Sequence, residues 1–548
     1  MDTVRFILVL ALALVCIMLW EAWQQDYGSV PAGPGNGDAL VADEDPGIPQ
    51  LGPDDTTTPA FPRDEGSQKT DSSVVTVETD VLHLKIDQGG TIVFAELPDY
   101  PVSLDKKDQP FILLDSSADL YHVIQSGIVG ETAPTHKDTF SSTRASYTLN
   151  EDEEVLEVPL TWITQDGVTV SKVFVFERGS YRIYLKHIIE NRSDTAWEGR
   201  QYTQIKRDDP SREGRRLIYT YTGAVLSSPD NRYEKISFGD MEDGETDMNI
   251  SNGWAAMIQH YFLTAILPAD KQADYRYYTR ASSHPYYSIG SVSPALQLAP
   301  GEQGELAGHL YVGPKQQSVL EQLAEGLELT VDYGVLWFLA KPLFWCLERL
   351  HGLTGNWGWS IILVTVLLKI LFYHLSAVGY RSMANMRRVQ PRIVAIRDRY
   401  KDDRTRLNQA MMQIYKEEKI NPFGGCFPIL VQIPVFLALY WVLLESVELR
   451  QADFIFWLND LSTRDPFFVL PIIMGATMLI QQKLNPAPMD PMQEKVMKAL
   501  PFVFTVFFAF FPSGLVLYWV TNNILSIGQQ WLITRNLEKE GLSSTQAK

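Results

Sequence analysis

Lys369 is the thirteenth residue of an apolar segment, 357–378, that contains "GWSIILVTVLLKILFYHLSAV". An ammonium group near the centre of a membrane helix costs about 2.5 to 3.5 kcal/mol, so its presence calls for a use. At 1.5 Å per residue its Cα lies roughly 18 Å from the outer end of the segment, on the cytoplasmic side of the midplane. As a point charge it attracts carboxylates and carbonyl oxygens. Three structural readings compete with that use. The four-carbon stem could snorkel to the cytoplasmic interface. The ammonium could pair with a buried carboxylate, for which the apolar segments offer only Glu445, at the opposite end of its own segment. It could also lose its proton.

Other polar residues interrupt neighbouring apolar segments. Thr365 lies one turn before Lys369, and Gln432 lies about two turns into its segment. Asn522, Asn523, Ser526, Gln529 and Gln530 mark the last one. Taken singly, each amide or hydroxyl reads as hydrogen-bonding glue between helices. Together with a lysine they point to a water-filled concavity within the membrane. No chain of Asp or Glu accompanies them, which weighs against a proton pump or ion carrier, and no inverted repeat points to a secondary transporter. A channel or transporter with an intramembrane lysine site is the alternative reading. Nothing here calls for a catalytic residue, a metal or a cofactor.

The elements that must position these residues follow from composition and pattern. The 548 residues carry a formal charge of −19, unevenly spread. Residues 24–332 hold 24 Lys+Arg against 49 Asp+Glu, whereas the rest of the chain is slightly basic. So acidic a domain argues against nucleic-acid binding. None of Cys16, Cys346 and Cys426 falls in it, so no disulfide framework holds it together.

Residues 1–23 contain an apolar run ending in the bulky "LWEAWQQD", with no small-residue cleavage site, and read as an uncleaved anchor. Residues 24–72, rich in Gly, Pro, Asp and Thr, read as a flexible linker. From 73 to 332, alternating stretches such as "GVTVSKVFVFERGSYRIYLKHII" predict short strands in a large β-sandwich. Residues 333–353, broken by Lys341-Pro342, fit an amphipathic helix lying in the membrane interface.

Beyond it lie spans at 354–378 and, within 421–534, at about 425–444, 466–482, 496–511 and 513–534. Two are short for a bilayer about 30 Å thick. Between the first and second, residues 379–420 carry many arginines and lysines, which fixes that loop in the cytoplasm. Counting outward gives six spans, both termini inside, a cytoplasmic tail from 535 to 548 and the acidic β-domain outside. Within 379–420, Met383, Met386, Val389, Ile393, Ile396 and Tyr400 form one helical stripe, flanked by Arg387, Arg388 and Arg392. Leu407, Met411 and Ile414 repeat the pattern. This predicts a basic helical hairpin whose stripes pack together, leaving arginines for lipid headgroups or a docking role.

The blocks "MDTVRFILVLALALVCIMLWEAWQQD", "MANMRRVQPRI", "NPFGGCFPILVQIPVFLALY", "SVELRQADF", "DPMQEKVMKALPFVFTVFF" and "FPSGLVLYWVTNN" resemble the bacterial membrane protein insertases of the YidC/Oxa1/Alb3 family. The resemblance covers the whole chain and is strongest from about 379 to 534. It implies a five-helix insertase core with a hydrophilic groove, open to cytoplasm and lipid, and one basic residue at its centre. The best-known members have arginine there and this chain has Lys369, which keeps the charge but loses the bidentate fork. By the same resemblance Gln432 and Tyr518 line the groove or its substrate-contact face, with Trp519 beside them; Thr365 and Asn522 complete the expected set. The external domain resembles the family's super-β-sandwich. The resemblance further implies a bacterial inner-membrane location and non-enzymatic insertion and folding of nascent membrane proteins, alone or with the Sec translocon. It also implies contact with ribosomes or the signal recognition pathway.

Overall fold

The computed structural model describes residues 74–117, 120–209, 220–281, 286–400, 403–417, 427–485 and 491–546. The expected anchor over 1–23 and linker over 24–72 lie outside the described residues.

Strand alternation governs the first half. Val168–Glu177 and Arg182–Asn191 pair antiparallel about a turn in which Gly179 takes a φ of 67°. The register sets Phe176 opposite Ile183, Phe174 opposite Leu185 and Val170 opposite Ile189. All six are buried, so every second residue of each strand faces the core. Gln303–Pro314 pairs on the other side of Arg182–Asn191, in a nine-stranded sheet. An eleven-stranded sheet is built around Trp197–Asp208, flanked by Leu120–Val129 and Tyr286–Val292. Val77, Leu84 and Ile124 from this sheet share one core with Phe174, Ile183 and Leu310 from the other. The result is the expected β-sandwich.

A lysine is sealed inside it. Lys172 is fully buried, and its Nζ donates to Gly90 O at 2.7 Å, Ser126 O at 2.8 Å and Gly89 O at 3.4 Å. The rings of Phe140 and Phe174 lie 5.6 and 5.5 Å from the same nitrogen. Gly90 has a φ of 68°, and a Cβ there would fall 2.5 Å from Nζ, so glycine is required on both counts.

Helices dominate the second half. Two short helices belong to the β-domain: α1 (Phe238–Asp243), begun by a Ser237–Asp240 capping box, and α2 (Gln317–Leu323). Then come α3 (Trp337–Thr354), α4 (Trp357–Leu371), α5 (Tyr373–Arg399), α6 (Arg404–Glu417), α7 (Phe427–Glu445), α8 (Val469–Leu484), α9 (Pro491–Phe508) and α10 (Ser513–Gln546). Helix α3 buries Ala340, Phe344 and Leu347 and exposes Trp337, Phe338 and Trp345. Among the described residues no single helix is long and apolar enough to cross a membrane. Helices α4 and α5 pass that test together, bent by 68° where they meet. The continuous segment expected over 357–378 is therefore two helices, with no proline or glycine at the break. Helix α5 also takes in the residues expected to open the basic hairpin at 379, and α10 continues through the tail expected after 535.

The helices share a second core that includes Ile361, Val364, Leu439, Leu443, Met474 and Leu515. A tight approach occurs at Gly358, where a Cβ would lie 2.1 Å from the Phe454 ring. A polar junction joins the two halves. Arg450 Nη2 and Gln451 Nε2 donate to Pro101 O at 2.7 and 2.9 Å, and His260 Nε2 meets Leu444 O at 2.9 Å. Gln317 N donates to Glu448 Oε1 at 3.3 Å, while Tyr333 Oη and Ser446 Oγ are 3.1 Å apart. Glu445, the one carboxylate that sequence offered to Lys369, is buried here and faces Lys315 of the β-domain.

Candidate functional site

Thr365, Leu368 and Lys369 project from the last two turns of α4, and Leu375 and Ser376 from the first turn of α5 beyond the bend at Phe372. With Val431, Gln432 and Val435 of α7 and Tyr518 and Asn522 of α10 they surround one cleft. Its open, solvent-connected space is about 400 Å³. Gln529 Nε2 of α10 donates to Tyr373 O at 3.2 Å and ties the bend to the neighbouring helix.

The polar groups have defined partners. Lys369 Nζ donates to Ser526 Oγ at 2.7 Å, and Ser526 Oγ donates to Asn522 O at 2.7 Å. Side-chain hydrogen bonds also join Tyr380 of α5 to the Ser526 hydroxyl and Tyr518 to Gln432. Thr365 Oγ1 donates to Ile361 O of its own helix at 2.7 Å. The ammonium is thus half-buried and directed across the bundle, neither paired with Glu445 nor stretched toward a helix end. Around it the wall mixes aliphatic and polar groups.

Lys369, Thr365, Gln432, Tyr518 and Asn522 converge on this space. Trp519 does not line it. It packs edge-on against Phe436 at 4.7 Å and lies 5.3 Å from Phe508. Ser526, noticed in the sequence only as one of several polar marks on its segment, proves to hold the lysine. Its signal was present: Tyr518, Asn522 and Ser526 recur every four residues and so share one face of α10. In the basic hairpin the expected stripe divides. Met386, Val389 and Ile393 pack against Met411, Ile414 and Tyr415, whereas Met383 joins Tyr380 against Ile533 and Leu537 of α10. Arg387, Arg388 and Arg392 are exposed, and Arg392 lies 3.8 Å from Glu417. No group of three His, Cys, Asp or Glu side chains among the described residues converges as a metal site.

Residues 74–346 match the family model for the YidC periplasmic domain, and residues 349–540 match the model described as 60Kd inner membrane protein. A membrane protein insertase YidC of Thioalkalivibrio sulfidiphilus is 51% identical over 559 aligned positions, covering 99% of this chain and 100% of the relative. The chain belongs to the YidC family of membrane protein insertases. A second YidC, from Methylococcus capsulatus, is 49% identical, with 98% of this chain and 99% of the relative covered. A crystal structure of an active YidC insertase, with its first transmembrane domain resolved, covers 84% of this chain and 92% of its own, at 18% identity and a TM-score of 0.38. In YidC terms, the β-sandwich is the periplasmic domain and the helical half is the inner-membrane part.

Proposed function

We propose that the cleft around Lys369 receives the polar flank of a nascent membrane protein while its apolar segment partitions sideways into lipid. The supporting observation is one ammonium, held by Ser526 of α10, inside a half-polar space walled by α4, α5, α7 and α10. Six spans with both termini in the cytoplasm fit the basic 379–420 segment and a periplasmic β-domain. In that frame the cleft opens from the cytoplasmic side, and α3 lies along the periplasmic interface and braces it.

The physics needs no covalent step. A polar tail crossing hydrocarbon loses its hydration, and a wet cleft reaching partway shortens the dry path. Lys369 transiently attracts carboxylates or carbonyls of the tail. The apolar segment then leaves for lipid, worth about 25 cal/mol per Å² of apolar surface buried. A membrane potential positive outside adds about 2.3 kcal/mol per 100 mV for each acidic charge exported. The basic hairpin at 379–420 receives the substrate, delivered by the ribosome or the signal recognition pathway, and the Sec translocon shares the larger substrates. A conduction path would need ionisable groups along its length; of the residues lining the cleft, only Lys369 carries a charge.

The test is depletion of the protein and rescue by Lys369→Arg, Lys369→Ala or Lys369→Glu, scoring insertion of small membrane proteins with acidic tails. Arginine rescues, alanine rescues in part and glutamate does not. Full rescue by glutamate removes the charge from the mechanism.

A further inference from the structure

The connection between α7 and α8 is braced from within. Asp465 is buried and accepts from Trp457 Nε1 at 3.0 Å, Phe467 N at 3.0 Å and Leu470 N at 2.7 Å, the last bond capping α8. Asp460 Oδ1 accepts from Ser462 N at 2.8 Å and Gln451 N at 3.2 Å, and its carbonyl accepts from Ser513 Oγ at 2.8 Å. Phe454, Leu458 and Leu461 fill the helical core beneath.

None of this network uses the large side chains on the outer face. Phe456 is 85% exposed, Phe467 66% and Phe468 42%. Two of them stand on backbone that phenylalanine avoids: φ is 57° at Phe456 and 56° at Phe468. Such strain gathers where a side chain is held for a purpose. Three phenyl rings so exposed among the described residues call for an apolar partner.

We infer that Phe456, Phe467 and Phe468 form a wedge that enters the periplasmic leaflet at the boundary of headgroups and acyl chains. The inference rests on the proposed spans. Continuity supports lipid as the occupant: Ile472 and Ile473 of α8, Phe507 of α9 and Phe510 in the turn after α9 carry the exposed apolar surface onward along the bundle. Aromatic rings suit that depth. Length supplies a reason for the wedge. The 16 residues of α8 rise only about 24 Å, against a hydrocarbon layer about 30 Å thick. Rings fixed just above its start hold the outer leaflet at the depth that so short a helix can reach, which thins the bilayer beside the cleft.

The experiment uses the full chain with Cys16, Cys346 and Cys426 replaced by serine, in vesicles of phosphatidylethanolamine and phosphatidylglycerol. A single cysteine at Phe456, Phe467, the neighbouring exposed Asp453 or the helix-flank Ile472 carries an NBD fluorophore. Labels at 456 and 467 are quenched at least threefold more by shallow doxyl lipid than by aqueous iodide, and the label at 453 shows the reverse. Iodide quenching at 456 and 467 equal to that at 453 overturns the inference. So does shielding from both quenchers that varies with protein density, which identifies a protein partner instead. The label at 472 separates the two levels: no quenching by deep doxyl lipid there refutes the spans themselves, whereas quenching at 472 without quenching at 456 refutes the wedge alone. A double variant, Phe456→Gly with Phe468→Gly, relieves both strained positions and so folds at least as well. It raises iodide quenching of the label at 467 at least twofold; unchanged quenching counts against the wedge.

Discussion

Glu448 sits in the short turn Val447–Leu449 at the junction of the β-domain and the helices. Burial is the largest influence on its carboxyl and pushes it from 4.5 up to about 7, against the lowering effect of the backbone N–H groups of Glu448 and Gln317. Oε1 accepts from Gln317 N, while Oε2 is buried with no hydrogen-bond partner. In the unfolded or opened chain the group titrates near 4.5. Between 4.5 and 7 the closed junction therefore holds a proton that the open one has released, and closure weakens as pH rises. The stabilisation is fully present below about 4.5 and lost above about 7. A shift of that size corresponds to roughly 3 kcal/mol between the two limits, or about a hundredfold in the opening equilibrium.

Glu448→Gln removes the charge and keeps the shape. Its amide occupies the place of an oxygen that has no donor, so no existing bond is lost there. A two-domain chain need not unfold in one step, so the suitable readout is local: hydrogen exchange of the amides at Gln317 and Ser446–Leu449 in detergent-solubilised protein from pH 4.5 to 8. Taking the variant-to-parent ratio at each pH cancels the intrinsic pH dependence of exchange. Protection in the two proteins is alike near pH 4.5, and the variant gains about a hundredfold by pH 8. A ratio that stays flat across the range refutes the assignment of a charged, poorly solvated carboxylate to this junction.

Other perturbations have equally definite outcomes. Lys172→Met leaves Gly90 O and Ser126 O without their buried donor and destabilises the β-domain by about 1 to 3 kcal/mol, seen as a lower urea midpoint. Gly358→Ala drives a methyl group into the Phe454 side chain and costs about 1 to 3 kcal/mol, seen as a lower thermal midpoint. Ser526→Ala removes the acceptor of the Lys369 ammonium, a charge-assisted bond worth about 1.5 kcal/mol or more. Insertion of acidic-tailed substrates falls several-fold, and Ser526→Thr, which keeps the hydroxyl, retains it.

Strands were legible wherever one face is buried, because a period of two writes burial directly into the residue order. The pair about "RGS" is the clearest case. Its other neighbour, Gln303–Pro314, lies more than a hundred residues away and leaves no local trace. Periodicity puts Lys172 of "VTVSKVFVF" on the core face with Val170 and Phe174, but it cannot name the three acceptors, which come from distant turns and strands. The bend at Phe372 was hidden for a different reason. Hydropathy measures composition and is blind to direction, and the usual punctuation of proline or glycine is missing.

The cleft was legible because its polar residues are anomalies in apolar segments, and an anomaly needs no partner to be noticed. What anomaly cannot reveal is pairing. Sequence offered Lys369 one carboxylate, Glu445, because both stand in apolar segments; the fold gives that carboxylate to Lys315 and the lysine to a serine. The difference matters physically. A carboxylate in direct contact would neutralise the ammonium and hold it by several kcal/mol in a dry bundle, leaving little for a passing substrate. A hydroxyl satisfies one donor and leaves the charge uncompensated. Lys369 is therefore positioned without being neutralised, the condition under which an acidic group arriving in the cleft gains by taking the hydroxyl's place. Under the proposed function, that arrangement would let a charge expensive to bury serve as a transient docking point, released again once the substrate's apolar segment has found lipid.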